Sequence, residues 1–376
     1  MVSTALLGDT KTGLVQGLSP EDCVRVHAAL DYAFGPGLHP AADYGGGAGA
    51  SWLGYVSLGP ADVTAASDDQ QVARASVPDG PGHLVKARYT PHQTMVLGID
   101  EQESPHHETL EDADDLDAMP VVVADLHSAL PAIIAGARHH AEVLGRTQPR
   151  IVYVMTDGGA LPAWFSRTVS TLRQTGWTDA TITVGQAYGG DHEAVTVHTG
   201  LLAARHVLDA DLAVVAQGPG NLGTGTRWGF SGVAAGEAVN AAATLGGRPV
   251  ASLRVSGADP RPRHQGISHH SLTAYGRVAL LRADVPVPGF GQVADSFAET
   301  DHDPRALEAR VREQALTLAR ATARHTLVDV EATQALADAL EGSPVRLSTM
   351  GRGTAQDPAA FLAAAVAGQH AVSLLA

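Results

Sequence analysis

From Pro120 onward the chain repeats one pattern. Runs rich in β-branched residues, VVVAD, IVYVM, TITVGQ, LAVVAQ and VASLRVS, are each separated by a stretch of helical length. Runs that are apolar at successive positions, not at alternate ones, read as strands buried on both faces, and helical crossovers covering a parallel sheet produce that burial. Helices are expected over about residues 128–145, 162–175, 192–208 and 233–245. This alternation predicts an α/β fold with a doubly wound, mostly parallel sheet. Beyond it come a long amphipathic helix in RALEARVREQALTLARATARH, the runs TLVDV and VRLSTMG flanking a short helix, and an Ala-rich helix from Asp357.

The first hundred residues read differently. Ser19-Pro20-Glu21-Asp22 is a helix start, with a capping hydroxyl, proline in the first turn and acids at the positive end of the dipole. That helix is expected to reach Phe34. A Gly-rich stretch follows, and then short strand-like runs at 52–58, 84–89 and 94–99. The expected organisation is a small β-containing N-terminal domain (1–100), an acidic connector (101–117) and the doubly wound α/β domain (118–376). Nine acids lie from Asp100 to Asp117, alongside His106 and His107, whose functional reading is a lid.

Charge and composition narrow the partners. A formal net charge of −15, with no long Lys/Arg run, lacks the cationic field that nucleic acids and anionic membranes require. One cysteine, Cys23, forms neither an intramolecular disulfide nor a thiolate cage. No secretory signal pattern or bilayer-length apolar run is read, so a cytoplasmic location is expected. Homo-oligomerisation is left open.

In an open α/β sheet, ligands bind beyond the carboxyl ends of the strands, and the unusual clusters of this chain follow its predicted strands. They are Asp125-Leu126-His127-Ser128, the TDGG segment containing Asp157, YGGDHE, GPGNLGTGTRWGFSG, ADPRPRHQGISHHS and TMGRG. GPGNLG fits a dinucleotide fingerprint, but no helix begins at its third glycine and the following strand lacks the ribose-binding acid, which disfavours a Rossmann site. Gly218, Gly220, Gly223 and Gly225, with Thr224, Thr226 and Arg227, read either as a backbone nest for an anion or as a Gly-rich turn without a ligand.

The His-rich loop carries His264, His269 and His270. With His127, His192 and Glu193 brought in by folding, these residues make an N/O ligand pool for a zinc-like divalent metal. Alternatively His264, His269 or His270, with Asp157, supplies acid/base chemistry while Arg261, Arg263 and Arg352 hold an anionic substrate. The third reading is structural: Ser268 caps a helix that has His269 and His270 in its first turn. No G-x-S-x-G elbow, P-loop lysine motif or H-E-x-x-H is present.

The segments GHLVKARYTPHQ, ESPHHE, DLHSALPA, YVMTDGGALPAWFS, GGDHEAVTVH, GPGNLGTGTRWGFSG, HQGISHHSLTAYGRVAL and STMGRG together resemble domain-of-unknown-function family 3866, which is found in bacteria. The resemblance covers roughly residues 80 to 376. Before residue 80 the chain departs from the strand-rich pattern that the resemblance implies. It implies no reaction, ligand or catalytic residue, so the functional readings rest on the residues. They are an enzyme or binding protein for a small phosphate- or carboxylate-bearing molecule, a divalent-metal-dependent hydrolase, and a non-catalytic scaffold.

Overall fold

The computed structural model describes residues 82, 84–86, 94–159 and 162–375. The expected helix from Ser19 to Phe34, the run at 52–58 and Cys23 lie outside the described residues. The chain divides into two compact units, residues 1–97 and 98–376. The described part of the first is a pair of antiparallel strands, β1 (Leu84–Lys86) and β2 (Thr94–Val96).

The second unit opens with a helical turn, α1 (His107–Leu110). Its acidic stretch is more than a connector, because Leu110 and Leu116 enter the hydrophobic core. Then come β3 (Pro120–Ala124), α2 (Leu130–Val143), β4 (Ile151–Thr156), α3 (Arg167–Gln174), β5 (Ala180–Val184), β6 (His192–Ala194) and α4 (Val197–His206). They are followed by β7 (Leu212–Gln217), α5 (Ala234–Thr244), β8 (Arg248–Ala251), β9 (Val255–Ser256), β10 (Gly266–Ile267) and α6 (His269–Thr273). The last elements are β11 (Asp284–Gly289), α7 (Pro304–Ala319), β12 (Thr326–Glu331), α8 (Gln334–Glu341) and α9 (Pro358–Ser373).

Eight strands form one all-parallel sheet in the order β12-β11-β8-β3-β7-β4-β5-β6. The uniformly apolar runs occupy its middle, and every residue of β3, β5 and β7 is buried. Helices α2, α8 and α9 pack together, with α9 lying on β3, β8 and β11, while α5 packs on β3, β7 and β8 and against α4. This is a doubly wound α/β architecture. Among the described residues no helix is long and apolar enough to cross a membrane.

Three local expectations are corrected. The segment 192–194 forms the edge strand β6, not a helix start. Thr196 is the true N-cap, accepting from the Thr199 N–H, whereas the Asp191 carboxylate accepts from the Thr181 N–H and pairs with Arg173. VASLRVS breaks into β8 and β9 as the chain leaves the sheet at Ser252. VRLSTMG forms no strand, and Thr349 and Arg352 close a tight turn instead.

The structure also adds a strand, β11, whose sequence DVPVPG is not strand-like. Pro286 and Pro288 are two apart, so both fall on the same strand edge and remove its donors there. Consistently, β11 pairs with β12 over six residues but with β8 only at Asp284↔Val250.

The strand order sets where the candidate site lies. After β3 the chain departs toward β4, and after β8 it departs toward β11, although β3 and β8 are neighbours. Their carboxyl ends therefore diverge, which is the switch point where a crevice opens in doubly wound sheets.

Candidate functional site

A small polar cavity sits at this switch point. It measures about 30 Å³ and is lined by Asp125 and Ser128 after β3, Arg254 and Asp259 after β8, and Thr349 and Arg352 from the C-terminal turn, among others. That volume accommodates a water or two, or a single ion.

The His-rich loop is built against this cavity by a short hairpin. Strands β9 and β10 pair antiparallel and return the chain beside Arg254, where the Ser268 N–H donates to the Arg254 carbonyl at 2.8 Å. Between the two strands, Asp259 organises the turn. Its carboxylate accepts from Arg261 Nε at 2.9 Å and Nη2 at 2.8 Å, and it also pairs with Arg352. The hydrogen bonds from Arg261 hold the Asp259 carboxyl far below the usual carboxylate range. Ser268 then caps α6 by accepting from the His270 N–H, as the sequence predicts, and a π-helical turn at Ala274–Val278 follows.

The hairpin sets His264 against the two histidines that open α6. One ring nitrogen from each of His264, His269 and His270 lies within 4.8 Å of the others. Ring centroids are 4.9 Å apart for His264–His269, 5.0 Å for His264–His270 and 4.4 Å for His269–His270. Phe230 stacks flat on the His270 ring at 3.9 Å. His264 Nδ1 is hydrogen-bonded to Ser268 Oγ at 2.7 Å, and His270 Nδ1 accepts from Arg254 Nη1 at 3.0 Å. His269 Nε2 is buried with no hydrogen-bond partner among the described residues.

All three imidazoles are held neutral. Burial and the charge of Arg254 push His264 and His270 down to about 3. Burial, with Arg263 and Arg254 nearby, also lowers His269. Neutral rings offer lone pairs at neutral pH, which a metal ligand requires. Tetrahedral zinc spaces its nitrogen ligands by about 3.3 Å, so the cluster would have to contract somewhat to bind it. Arg254, Arg261 and Arg263 oppose a bare cation there. Asp259 offsets that field at His264, while Asp125 Oδ2 lies 3.8 Å from His270 Nδ1 in a carboxyl that burial pushes above the usual carboxylate range.

The other sequence-derived ligand candidates are directed elsewhere. His127 is engaged by Ser166 Oγ at 2.7 Å and Tyr153 Oη at 3.1 Å, and burial lowers it to about 4. His192 and Glu193 lie on the edge strand β6. Five strand spacings separate that strand from β8, or about 24 Å, too far to share an ion. Glu193 is instead bonded to Thr183 Oγ1 and the Gly189 N–H, and His192 packs edge-on to His106. Asp157 is exposed at the end of β4, three strands from β8.

The anion candidates are also redistributed. Arg261 and Arg352 are ion-paired to Asp259, with Arg352 reaching Asp357 as well, and Arg263 is exposed. The Gly-rich loop is a projecting hairpin bridged at Gly223 and Phe230. Gly220 and Gly225 adopt positive φ. Several loop N–H groups face inward: Gly218 to the Thr156 carbonyl, Leu222 to Ser231 Oγ and Thr224 to the Gly229 carbonyl. Thr224 and Thr226 bond each other, and Arg227 is exposed near the tip. What this loop brings to the imidazoles is Phe230. The sequence reading passed over Arg254, Asp259, Phe230 and Asp357. The one legible signal was Asp125, at the carboxyl end of the first strand.

No curated protein and no solved structure matches the chain. The family model described as "Protein of unknown function (DUF3866)" matches residues 55–368. That span starts within the first unit and runs through the switch-point cavity and the imidazole cluster into α9, so the chain belongs to the DUF3866 family.

Proposed function

We propose that this protein is a divalent-metal-dependent hydrolase acting on a small anionic substrate, with His264, His269 and His270 as its metal ligands. One observation carries the reading: three neutral imidazoles converge within 4.8 Å at the sheet's switch point, and one of them has a buried nitrogen with no partner among the described residues. Three histidines with an open fourth position form a donor set typical of catalytic zinc. A zinc-like ion there would supply Lewis acidity toward water and a substrate oxygen. The protein's part is to present lone pairs, to hold His264 through Ser268 and His270 under Phe230, and to keep the rings uncharged. The nearby guanidiniums favour an anionic substrate, phosphate- or carboxylate-bearing. They also favour a second reading, a metal-free anion site with the imidazoles as acid/base groups.

Elemental analysis separates the two. The metal reading expects near-stoichiometric zinc or a similar divalent ion in purified protein, lost in His269→Ala, and a higher melting temperature on adding zinc to chelator-stripped protein. Metal-free protein whose melting temperature ignores zinc but rises with phosphate would overturn it in favour of the anion site.

A further inference from the structure

We infer that Asp125 is the residue that orients His270 for metal, and that loading the metal transfers Arg254 from His270 to the anionic group of the substrate. The inference rests on the metal reading and gives it an order of events. Asp125 Oδ2 is buried and has no hydrogen-bond partner among the described residues, and it lies 3.8 Å from His270 Nδ1. An unpartnered buried carboxyl oxygen is costly, and a hydrogen-bond donor at Oδ2 would remove that cost. Asp125 itself is fixed, because Gln217 Nε2 donates to its carbonyl at 2.7 Å.

The partner of Oδ2 follows from the proton on His270. Without metal, Nδ1 accepts from Arg254 Nη1 at 3.0 Å, so the neutral ring carries its proton on Nε2. Nδ1 is flanked by a guanidinium and a carboxylate, which leaves Nε2 as the atom offered to an ion. Ligation there requires the Nε2 proton to leave and one to be taken up at Nδ1, with no net change in charge. The new Nδ1–H repels the Arg254 donor and is attracted by Asp125 Oδ2. Closing 3.8 Å to about 2.8 Å is a small swivel in the ring plane, which the flat stack on Phe230 permits. The result is a carboxylate–histidine–metal relay.

Arg254, released, remains on the cavity wall with Ser128, Thr349 and Arg352. Of the guanidiniums there, Arg352 is already paired with Asp259 and Asp357. Arg254 is therefore the one set free to meet a phosphate or carboxylate, and the anion is expected to bind better after the metal.

The test uses the full chain with ¹⁵N-labelled histidine, zinc and inorganic phosphate. Long-range ¹H–¹⁵N spectra should place the His270 proton on Nε2 in stripped protein and on Nδ1 after one equivalent of zinc. Asp125→Ala should weaken zinc roughly 10- to 100-fold, Asp125→Asn less, because its amide oxygen still accepts. Arg254→Gln should shift the His270 proton toward Nδ1 even without zinc. In calorimetry, wild type should bind phosphate more tightly with zinc than without, and Arg254→Gln should lose that difference. If wild type binds zinc but Asp125→Ala binds it equally well, or the proton stays on Nε2, the inference fails while the metal reading stands. If folded wild type binds no zinc, both fail. A water in the cavity would satisfy Oδ2 without moving the proton, and the spectra distinguish that outcome as well.

Discussion

The packing of α2 on α9 makes Gly136→Ala a severe test of how this fold is held together. A Cβ at Gly136 would lie 2.6 Å from the Ala365 carbonyl carbon and 2.8 Å from its Cα, nearer still to the carbonyl oxygen; one at Gly368 would lie 2.8 Å from the Ile133 carbonyl carbon. Reaching ordinary contact at about 3.4 Å from the carbonyl carbon alone forces the helices apart by about 0.8 Å, the nearer oxygen demands more, and the obstacle is backbone, which cannot rotate away. Overpacking of this kind costs about 1–3 kcal/mol, and the rigid obstacle puts it near the top of that range. Alanine recovers about 1 kcal/mol through helix propensity. The net loss expected is about 2 kcal/mol, or about 5 °C in melting temperature for a domain of this size. Gly200→Ala in α4 is the control, because its Cβ would meet Val184 and Val154 methyls at 2.9 and 3.2 Å, which can give way. Urea denaturation with fluorescence detection should rank Gly136→Ala and Gly368→Ala well below Gly200→Ala. The double variant should lose less than the sum, since one separation admits both methyls. If Gly136→Ala is as stable as Gly200→Ala, the close-contact reasoning is wrong.

Three further outcomes are expected. Burial lowers His127 to about 4, below its ordinary value near 6.5, so the unfolded chain takes up the proton first. The stability this gives is complete above about pH 6.5 and is lost as pH falls toward 4. Between pH 7.5 and 5 the loss is about 1–2 kcal/mol after allowing for the partial exposure of the ring, and His127→Gln should flatten the pH dependence of the urea midpoint by that amount. Arg352→Ala should cost about 3 kcal/mol, because it strips a cation from the buried carboxylates of Asp259 and Asp357. A melt within 2 °C of wild type would contradict it. Tyr153→Phe should cost about 1–2 kcal/mol, since the hydroxyl joins His127 Nδ1 to the Ala216 and Gln217 carbonyls. An unchanged urea midpoint would mean that this chain of hydrogen bonds contributes nothing.

Local sequence determined the elements whose causes are local. VVVA and LAVVAQ had to be interior strands, because a residue apolar on both faces needs cover on both. The Ser268 cap and the pairing of His269 with His270 in one turn follow from the chain's immediate neighbours. The placement of the candidate site was also legible, since loops that follow parallel strands must share one end of the sheet.

Which of those loops meet was decided only by the tertiary structure. His192 and His270 follow equally suggestive motifs, yet strand order leaves one on β6 at the far edge and the other beside β3. β11 escaped notice because its prolines forbid a ladder only on one side, a distinction that exists once its two neighbours are known. Arg254 read as strand interior until the chain turned out of the sheet to bring it against His270. Asp125 and His270 lie 145 positions apart in sequence and 3.8 Å apart in space. Contacts of that kind depend on the order in which a sheet is wound, which no short window of residues encodes.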